Sequence, residues 1–160
     1  MGKQERATTE LLRTELDDIL KAAVHLRRSS ERLKTFTSWE EPSEDECDQL
    51  DIFVSRFARL SDLLFQKAFR LIDKLELVES GTLIDALNRA EKRGIIDSAD
   101  DFRDMRHVRN QLTHNYSGDD MPSIAKKLFG WTPALLTALD NTTDYSSRLI
   151  QKLNDSSRKS

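Results

Sequence analysis

The fold is decided by residues 43–75, which read SEDECDQLDIFVSRFARLSDLLFQKAFRLIDKL. Apolar side chains recur in this stretch at steps of three and four residues, the spacing that places side chains on one face of an α-helix. The members of this face are Phe53, Phe57, Leu60, Leu64, Ala68, Leu71 and Leu75, and it is widened by Val54, Phe65, Phe69 and Ile72. A helix that is apolar over so much of its circumference is expected at the centre of the protein.

A second long helix is predicted immediately before this one. Apolar residues from Thr8 to about Phe36 form a single stripe at helical spacing. Pro42 then breaks the chain, and Ser43 with Glu46 has the pattern of a capping box that begins the next helix. We therefore expect an all-α helical bundle built on a long antiparallel helix hairpin, with shorter helices packed on it.

Two of these shorter helices are predicted between residues 81 and 117. Thr82 is in position to cap a helix over residues 83–93, and Gly94 suits the position just past its end. Ser98 is expected to cap a helix that continues as far as Tyr116.

The remaining part of the chain is predicted to contain two more helices. Residues 117–120 have the composition of a turn, and Pro122 suits the first turn of a helix that ends near Gly130. The pair Thr132-Pro133 is then expected to cap the last helix. The chain shows no alternating strand pattern, which leaves all-α as the predicted fold class.

Length and composition are those of one helical domain. The 160 residues predict a single domain, with a core over about residues 8–153 and a polar tail at 155–160. The single cysteine, Cys47, rules out an internal disulfide and favours a reducing compartment. The sequence has neither the apolar segment of a signal peptide nor a stretch that could span a membrane. A cytoplasmic protein without membrane association is therefore expected.

The net charge of −3 and the pI of about 5.7 disfavour a protein that coats nucleic acid, which would be strongly basic. An enzyme that acts on RNA is still compatible with this charge, because the basic residues are unevenly distributed. Six arginines and lysines lie in the segment 89–109, among acidic residues. Arg103 and Arg106 are the candidates in this segment for contact with RNA.

Residues 109–116 read RNQLTHNY and give the pattern Arg-x4-His-x-Tyr. A guanidinium can bind a phosphate through two parallel hydrogen bonds, and an imidazole can transfer a proton near neutral pH. At about 100° per residue, His107, Asn110 and His114 share one helix face, with Arg103 one turn before them. Such a set suits cleavage of RNA through its own 2′-hydroxyl, with His114 as general base or acid and Arg109 stabilising the charged transition state. No cofactor is needed, and no set of metal ligands at suitable spacing is present in the sequence.

Structural roles compete with this interpretation. Arg109 could instead pair with a carboxylate, for which Asp62 and Asp104 are candidates. A histidine such as His114 near the end of a helix could cap the last carbonyl groups or lie on the surface. Tyr116 could be a core residue with its hydroxyl group at the rim.

Residues 103–116, RDMRHVRNQLTHNY, resemble the signature of the HEPN superfamily, in which an arginine is followed after four to six residues by a histidine. A polar residue often follows that arginine, as Asn110 does here. The added tyrosine resembles the HEPN toxins that are paired with minimal nucleotidyltransferase antitoxins, in pairs of the type VII kind. The resemblance covers the helical core as a pattern and is specific over about these fourteen residues.

The resemblance implies a metal-independent endoribonuclease toxin that works as a homodimer, with tRNA or mRNA as candidate substrates. Arg109 and His114 would be the catalytic pair, with Asn110 and His107 as supporting residues. Tyr116 matches the tyrosine that the cognate nucleotidyltransferase antitoxin adenylylates in some systems. A bulky, negative AMP group at that position would block a cleft that binds RNA.

Two other functions remain open. Some HEPN proteins resemble non-catalytic, substrate-binding subunits of nucleotidyltransferases, and residues 56–62, RFARLSD, also resemble that branch. A purely structural helical adaptor is the third class. The Arg109 and His114 pair favours the toxin over both, although a binding subunit can retain the same motif.

Overall fold

The computed structural model describes residues 1–79, 81–114 and 120–159, and excludes the side chains of residues 113 and 114. Every regular element within these ranges is helical, which confirms the predicted all-α class. The elements are α1 (Lys3–Leu33), α2 (Glu44–Asp62), a π-helical turn (Leu63–Ala68), α3 (Phe69–Leu75), α4 (Leu83–Lys92), α5 (Ala99–His114) and α6 (Met121–Arg158). No helix in the described ranges combines the length and the apolar content that a membrane crossing requires.

The first two long helices run in opposite directions. Arg56 on α2 donates hydrogen bonds to the carbonyl oxygen of His25 and to Ser29 Oγ on α1, at 3.1 and 2.6 Å. The π-helical turn and α3 follow α2 without a gap, and seven residues between Gln66 and Val78 line a cleft together with Leu11 and Glu15, which lie nearer the start of α1. As residue numbers rise along one helix they fall along the other, so the two helices are antiparallel.

The residues predicted to begin α2 and α4 do form the starts of these helices. Ser43 Oγ accepts a hydrogen bond from the Glu46 amide at 3.2 Å, and Glu46 Oε1 accepts one from the Ser43 amide at 3.1 Å. Thr82 and Asp85 make the same reciprocal pair at the start of α4. The bonds from the Thr82 amide and hydroxyl lower the pKa of the Asp85 carboxyl group. Gly94, with a φ of 73°, follows α4 in the left-handed region that favours glycine.

The phenylalanines of α2, the π-helical turn and α3 form the centre of the core, as the sequence predicts. Phe53, Phe57 and Phe69 are fully buried, and Phe65 is 2% exposed. Leu71 is the exception among the predicted core residues, because it is only partly buried and packs at the edge.

The chain between α2 and α3 forms a wider turn than an α-helix. The Phe69 amide donates to the carbonyl oxygen of Leu64, five residues earlier, instead of to the residue four earlier. The turn buries Leu64, Phe65 and Ala68 while Gln66 and Lys67 remain exposed. Such turns occur often at functional sites, and this one was not predicted from the sequence.

The prediction of two helices after residue 120 is wrong. A single helix, α6, continues through Gly130 and Pro133 as far as Arg158, into the segment expected to be a polar tail. The buried residues keep one register across the expected break, at Leu128, Thr132 and Leu135. A proline inside a helix costs about 3 kcal/mol, and the burial of this continuous face outweighs that cost. Pro133 itself is exposed, so its ring points away from the core.

A buried group of charges connects α3 with α4 and α6. The Asp73 carboxylate, whose side chain is 5% exposed, accepts hydrogen bonds from Arg89 and Arg93, each at 2.7 Å. Arg93 also pairs with Glu76, to which the Tyr145 hydroxyl group donates. Burial lowers the pKa of Arg93, but its hydrogen bonds to Asp73 and Glu76 outweigh burial and the pKa is raised. Burial, together with the bond to Glu76, raises the pKa of Tyr145.

Candidate functional site

Arg109 lies on α5 and forms an ion pair with Asp62, the last residue of α2. The distance from Arg109 Nη2 to Asp62 Oδ2 is 2.6 Å, and the two side chains are 26% and 47% exposed. Asp62 and Asp104 were the two predicted partners for Arg109. Among the described contacts, Asp62 is the one that pairs with it. The pair fixes the guanidinium group beside the start of the π-helical turn.

Asn110 contacts the same guanidinium group. Its Oδ1 accepts a hydrogen bond of 3.3 Å from Arg109 Nη1. The guanidinium group thus lies between a carboxylate from α2 and an amide from its own helix. This arrangement restricts the orientations that Arg109 can adopt, because both of its terminal nitrogens are engaged.

A cleft of about 380 Å³ opens beside the ion pair. It is lined by Ser55, Ala58, Arg59, Asp62, Leu63, Gln66, Lys67 and Arg109. The lining contains three cations and one carboxylate, so an anionic group entering the cleft would meet a net positive charge. The cleft also joins the two segments that the sequence singled out, since residues 56–62 and Arg109 meet across it.

Three other predicted site residues are not among the described residues that line this cleft. Arg103 is exposed and pairs with Asp100, one turn earlier on α5. His107 is exposed, with its Nε2 3.5 Å from Gln111 Nε2. Arg106 is half-buried on the same helix. The structure therefore brings Asn110 to Arg109, but not Arg103, Arg106 or His107.

His114 and Tyr116 are described in part or not at all. The backbone of His114 belongs to α5, five residues after Arg109, so the two predicted catalytic residues lie on one continuous helix. The His114 side chain and the whole of Tyr116 are outside the described residues.

Lys67, Gln66 and Arg59 are among the cleft residues that were not predicted from the sequence to belong to a site. Arg59 belongs to the segment 56–62, which was singled out as a whole, so a signal for it was present. Nothing in the sequence marked Lys67 as a site residue. In a regular helix, a lysine beside the apolar face is interpreted only as a solvated residue. Its place in the cleft depends on the π-helical turn.

Comparison with known proteins gives no relative for this chain. No family model matches it, and neither a curated protein nor a solved structure matches it at the threshold for significance. The Arg109 cleft and the motif of residues 109–116 therefore carry the functional inference.

Proposed function

We propose that this protein is a metal-independent endoribonuclease of the HEPN type, the toxin of a pair with a minimal nucleotidyltransferase. One observation carries the proposal. Asp62 and Asn110 hold Arg109 at the edge of a cationic cleft, on the same helix as His114 and five residues before it. Cleavage of a phosphodiester by its own 2′-hydroxyl group needs a cation that stabilises the charged transition state and a group that transfers the proton, and Arg109 and His114 are residues of these two types.

In this reaction the RNA supplies its own nucleophile. His114 accepts the proton of the 2′-hydroxyl group, and the 2′-oxygen bonds to the adjacent phosphorus as the bond to the 5′-oxygen breaks. The 5′-oxygen takes a proton from a second histidine in its protonated, imidazolium form, which the other subunit supplies in a symmetric dimer. Arg109 stabilises the negative charge that develops on the phosphoryl oxygens. The products are a 2′,3′-cyclic phosphate and a 5′-hydroxyl end.

Asp62 acts in this scheme as a positioning residue. It orients the guanidinium group through the 2.6 Å ion pair and does not touch the reacting atoms. Its charge also lowers the positive potential at Arg109, and Arg59 and Lys67, which line the same cleft, compensate for this.

A non-catalytic partner subunit of a nucleotidyltransferase is the second candidate. The observation that favours it is the ion pair itself, since Asp62 engages the guanidinium nitrogen that a phosphate would otherwise bind. In that case the cleft would bind the substrate of the partner enzyme and would cut no RNA.

Expression in bacterial cells separates the two candidates. Wild type should arrest growth and degrade RNA, whereas Arg109→Ala and His114→Ala should do neither while accumulating as folded proteins. Equal toxicity of all three proteins would exclude Arg109 and His114 as the catalytic pair. Absence of any effect, with the wild-type protein folded, would favour the binding subunit.

We expect a homodimer with α5 near the two-fold axis. One chain supplies one arginine and one histidine of the motif, whereas a symmetric dimer brings two sets to one cleft. Light scattering at micromolar concentration should give twice the chain mass of 18.4 kDa. A particle of one chain mass that still cleaves RNA would exclude the composite cleft.

We also expect the partner nucleotidyltransferase to add AMP to Tyr116. Tyr116 follows His114 by two residues, so an attached phosphate would lie close to the catalytic edge and repel RNA. Intact-mass and peptide analysis after incubation with the partner, ATP and magnesium should locate AMP on Tyr116, with loss of cleavage. Tyr145, whose hydroxyl group is bonded to Glu76, is the matched tyrosine that should stay unmodified. Neutralisation of Tyr116→Phe without any mass change would instead indicate inhibition by binding alone.

A further inference from the structure

The Arg109 cleft continues into a larger one on the other side of the π-helical turn. The second cleft has a volume of about 540 Å³ and lies between α1 and α3. Gln66 and Lys67 line both clefts, so these two residues of the turn form the wall that they share. A ligand that fills the Arg109 cleft can therefore extend past Lys67 without leaving the surface of the protein.

The second cleft is basic along one side. Lys67, Arg70 and Lys74 line it at steps of three and four residues. Lys67 and Lys74 are exposed, and neither forms an ion pair with a carboxylate of the described residues. Arg70 donates a hydrogen bond of 3.0 Å to the carbonyl oxygen of Gly81, so it also holds the segment before α4.

Two carboxylates line the same cleft, but they do not cancel its charge. Asp73 is nearly fully buried and bonded by both Arg89 and Arg93, so its charge is compensated within the core. Glu15 on α1 is the one that faces the lysines across the cleft. The net charge presented to a ligand is therefore positive, in a protein whose overall charge is −3.

Apolar side chains also line the cleft, on both of its sides. Leu11 on α1 is 49% exposed, so part of its side chain is open to a ligand. Leu71 and Val78 add partly buried apolar surface. A cleft that combines cations with apolar side chains fits a ligand that carries phosphates and also exposes flat bases.

We propose that a single strand of RNA passes from the Arg109 cleft across Lys67 and into this second cleft, which we call the strand groove. Lys67 and Lys74 bind backbone phosphates there, and Leu11 packs against a base. This inference rests on the proposed ribonuclease function and adds the path of the substrate to it. A single strand fits a groove of this volume, whereas duplex RNA is recognised through a much wider, shallow surface.

Binding of an RNA that cannot be cut tests the strand groove separately from catalysis. The probe is a short, fluorescein-labelled oligonucleotide with every 2′-hydroxyl group methylated, and the readout is fluorescence anisotropy over a series of salt concentrations. Lys67→Ala and Lys74→Ala should each weaken binding by about threefold to tenfold. Each should also reduce the slope of log affinity against log salt by about 0.7, as expected for one lost phosphate contact to a single strand.

Two further variants control for general charge effects. Lys152→Ala removes an exposed lysine on α6 that lines neither cleft, and should leave affinity and salt slope unchanged. Glu15→Gln removes the acidic group of the strand groove and should tighten binding about twofold. A loss of affinity in Lys152→Ala equal to that in Lys67→Ala would overturn the proposal, because it would show non-specific attraction.

The outcomes separate this inference from the proposed function. If the wild type cleaves RNA but Lys67→Ala and Lys74→Ala bind the probe normally, the proposed path of the RNA is wrong and the proposed ribonuclease function is supported. If binding depends on both lysines but no RNA is cut, RNA binding in the strand groove is supported and the proposed ribonuclease function is wrong. Wild type that does not bind the probe, or binds its duplex form more tightly, overturns the strand groove.

Discussion

Replacement of Asp73 by alanine should lower the free energy of unfolding by about 3 kcal/mol, the loss expected when one partner of a buried ion pair is removed. Asp73 accepts hydrogen bonds from Arg89 and Arg93 at 2.7 Å, and its side chain is 5% exposed. Without the carboxylate, both guanidinium groups remain in a poorly solvated site. Arg93 has only 10% of its side chain exposed, so it cannot easily regain water. Urea titration followed by fluorescence and circular dichroism measures the change.

Glu31→Ala is the matched control for this experiment. Glu31 also pairs with a cation, Lys34, at 2.7 Å, but both side chains are more than half exposed. Its loss should change the unfolding free energy by less than about 1 kcal/mol. If Asp73→Ala is no more destabilising than Glu31→Ala, the charges around Asp73 do not hold α3 and α4 together as described.

Much of the fold could be predicted because local chemistry and packing point the same way. The hydroxyl groups of Ser43 and Thr82 accept a hydrogen bond from the amide three residues later, and the carboxylates of Glu46 and Asp85 accept one from the cap amide in return. The apolar face from Phe53 to Leu75 is wide enough that only a central position buries it. These signals are contained in short stretches of sequence.

The course of α6 could not be predicted in the same way. Gly130 and Pro133 are both unfavourable in a helix, so local propensity predicts an end there. The buried register from Leu128 through Thr132 to Leu135 crosses the same point without a break. Helical stability in proteins comes mostly from such tertiary packing. The strength of that packing at one segment depends on the side chains that other helices place against it, which the local sequence does not contain.

The candidate site was predictable to the extent that it lies within one helix. Arg109 and Asn110 are consecutive in the motif, and Asp62 was one of two carboxylates named as candidate partners for Arg109. The roles of Lys67 and Gln66 could not be foreseen. Their positions depend on a π-helical turn, whose hydrogen bond from Phe69 to Leu64 has no sequence signature.

Replacement of Arg109 by alanine should reduce the rate of RNA cleavage by about 100-fold or more, which corresponds to about 3 kcal/mol of transition-state stabilisation. The structural cost should be much smaller. Asp62 is 47% exposed at its side chain and can be hydrated when its partner is removed, so the ion pair contributes at most about 1 kcal/mol to stability. A variant that folds normally and does not cut RNA would therefore have lost a catalytic group.

Two other arginine variants make this prediction specific. Arg109→Lys keeps the charge but loses the planar, forked set of donors, so it should recover only part of the rate. Arg148→Ala removes an exposed arginine on α6 that lines neither cleft, and should cleave at the wild-type rate. Full recovery by Arg109→Lys would mean that charge alone acts at this position.

The most direct test of the ribonuclease is single-turnover cleavage of RNA by the purified protein in the presence of EDTA. The wild type should produce 2′,3′-cyclic phosphate ends, with a rate that chelation of metal ions does not change. Arg109→Ala, with an unfolding transition like that of the wild type, should be at least about 100-fold slower. Equal rates for the two proteins, or cleavage by the wild type that disappears with EDTA, would contradict the proposed function.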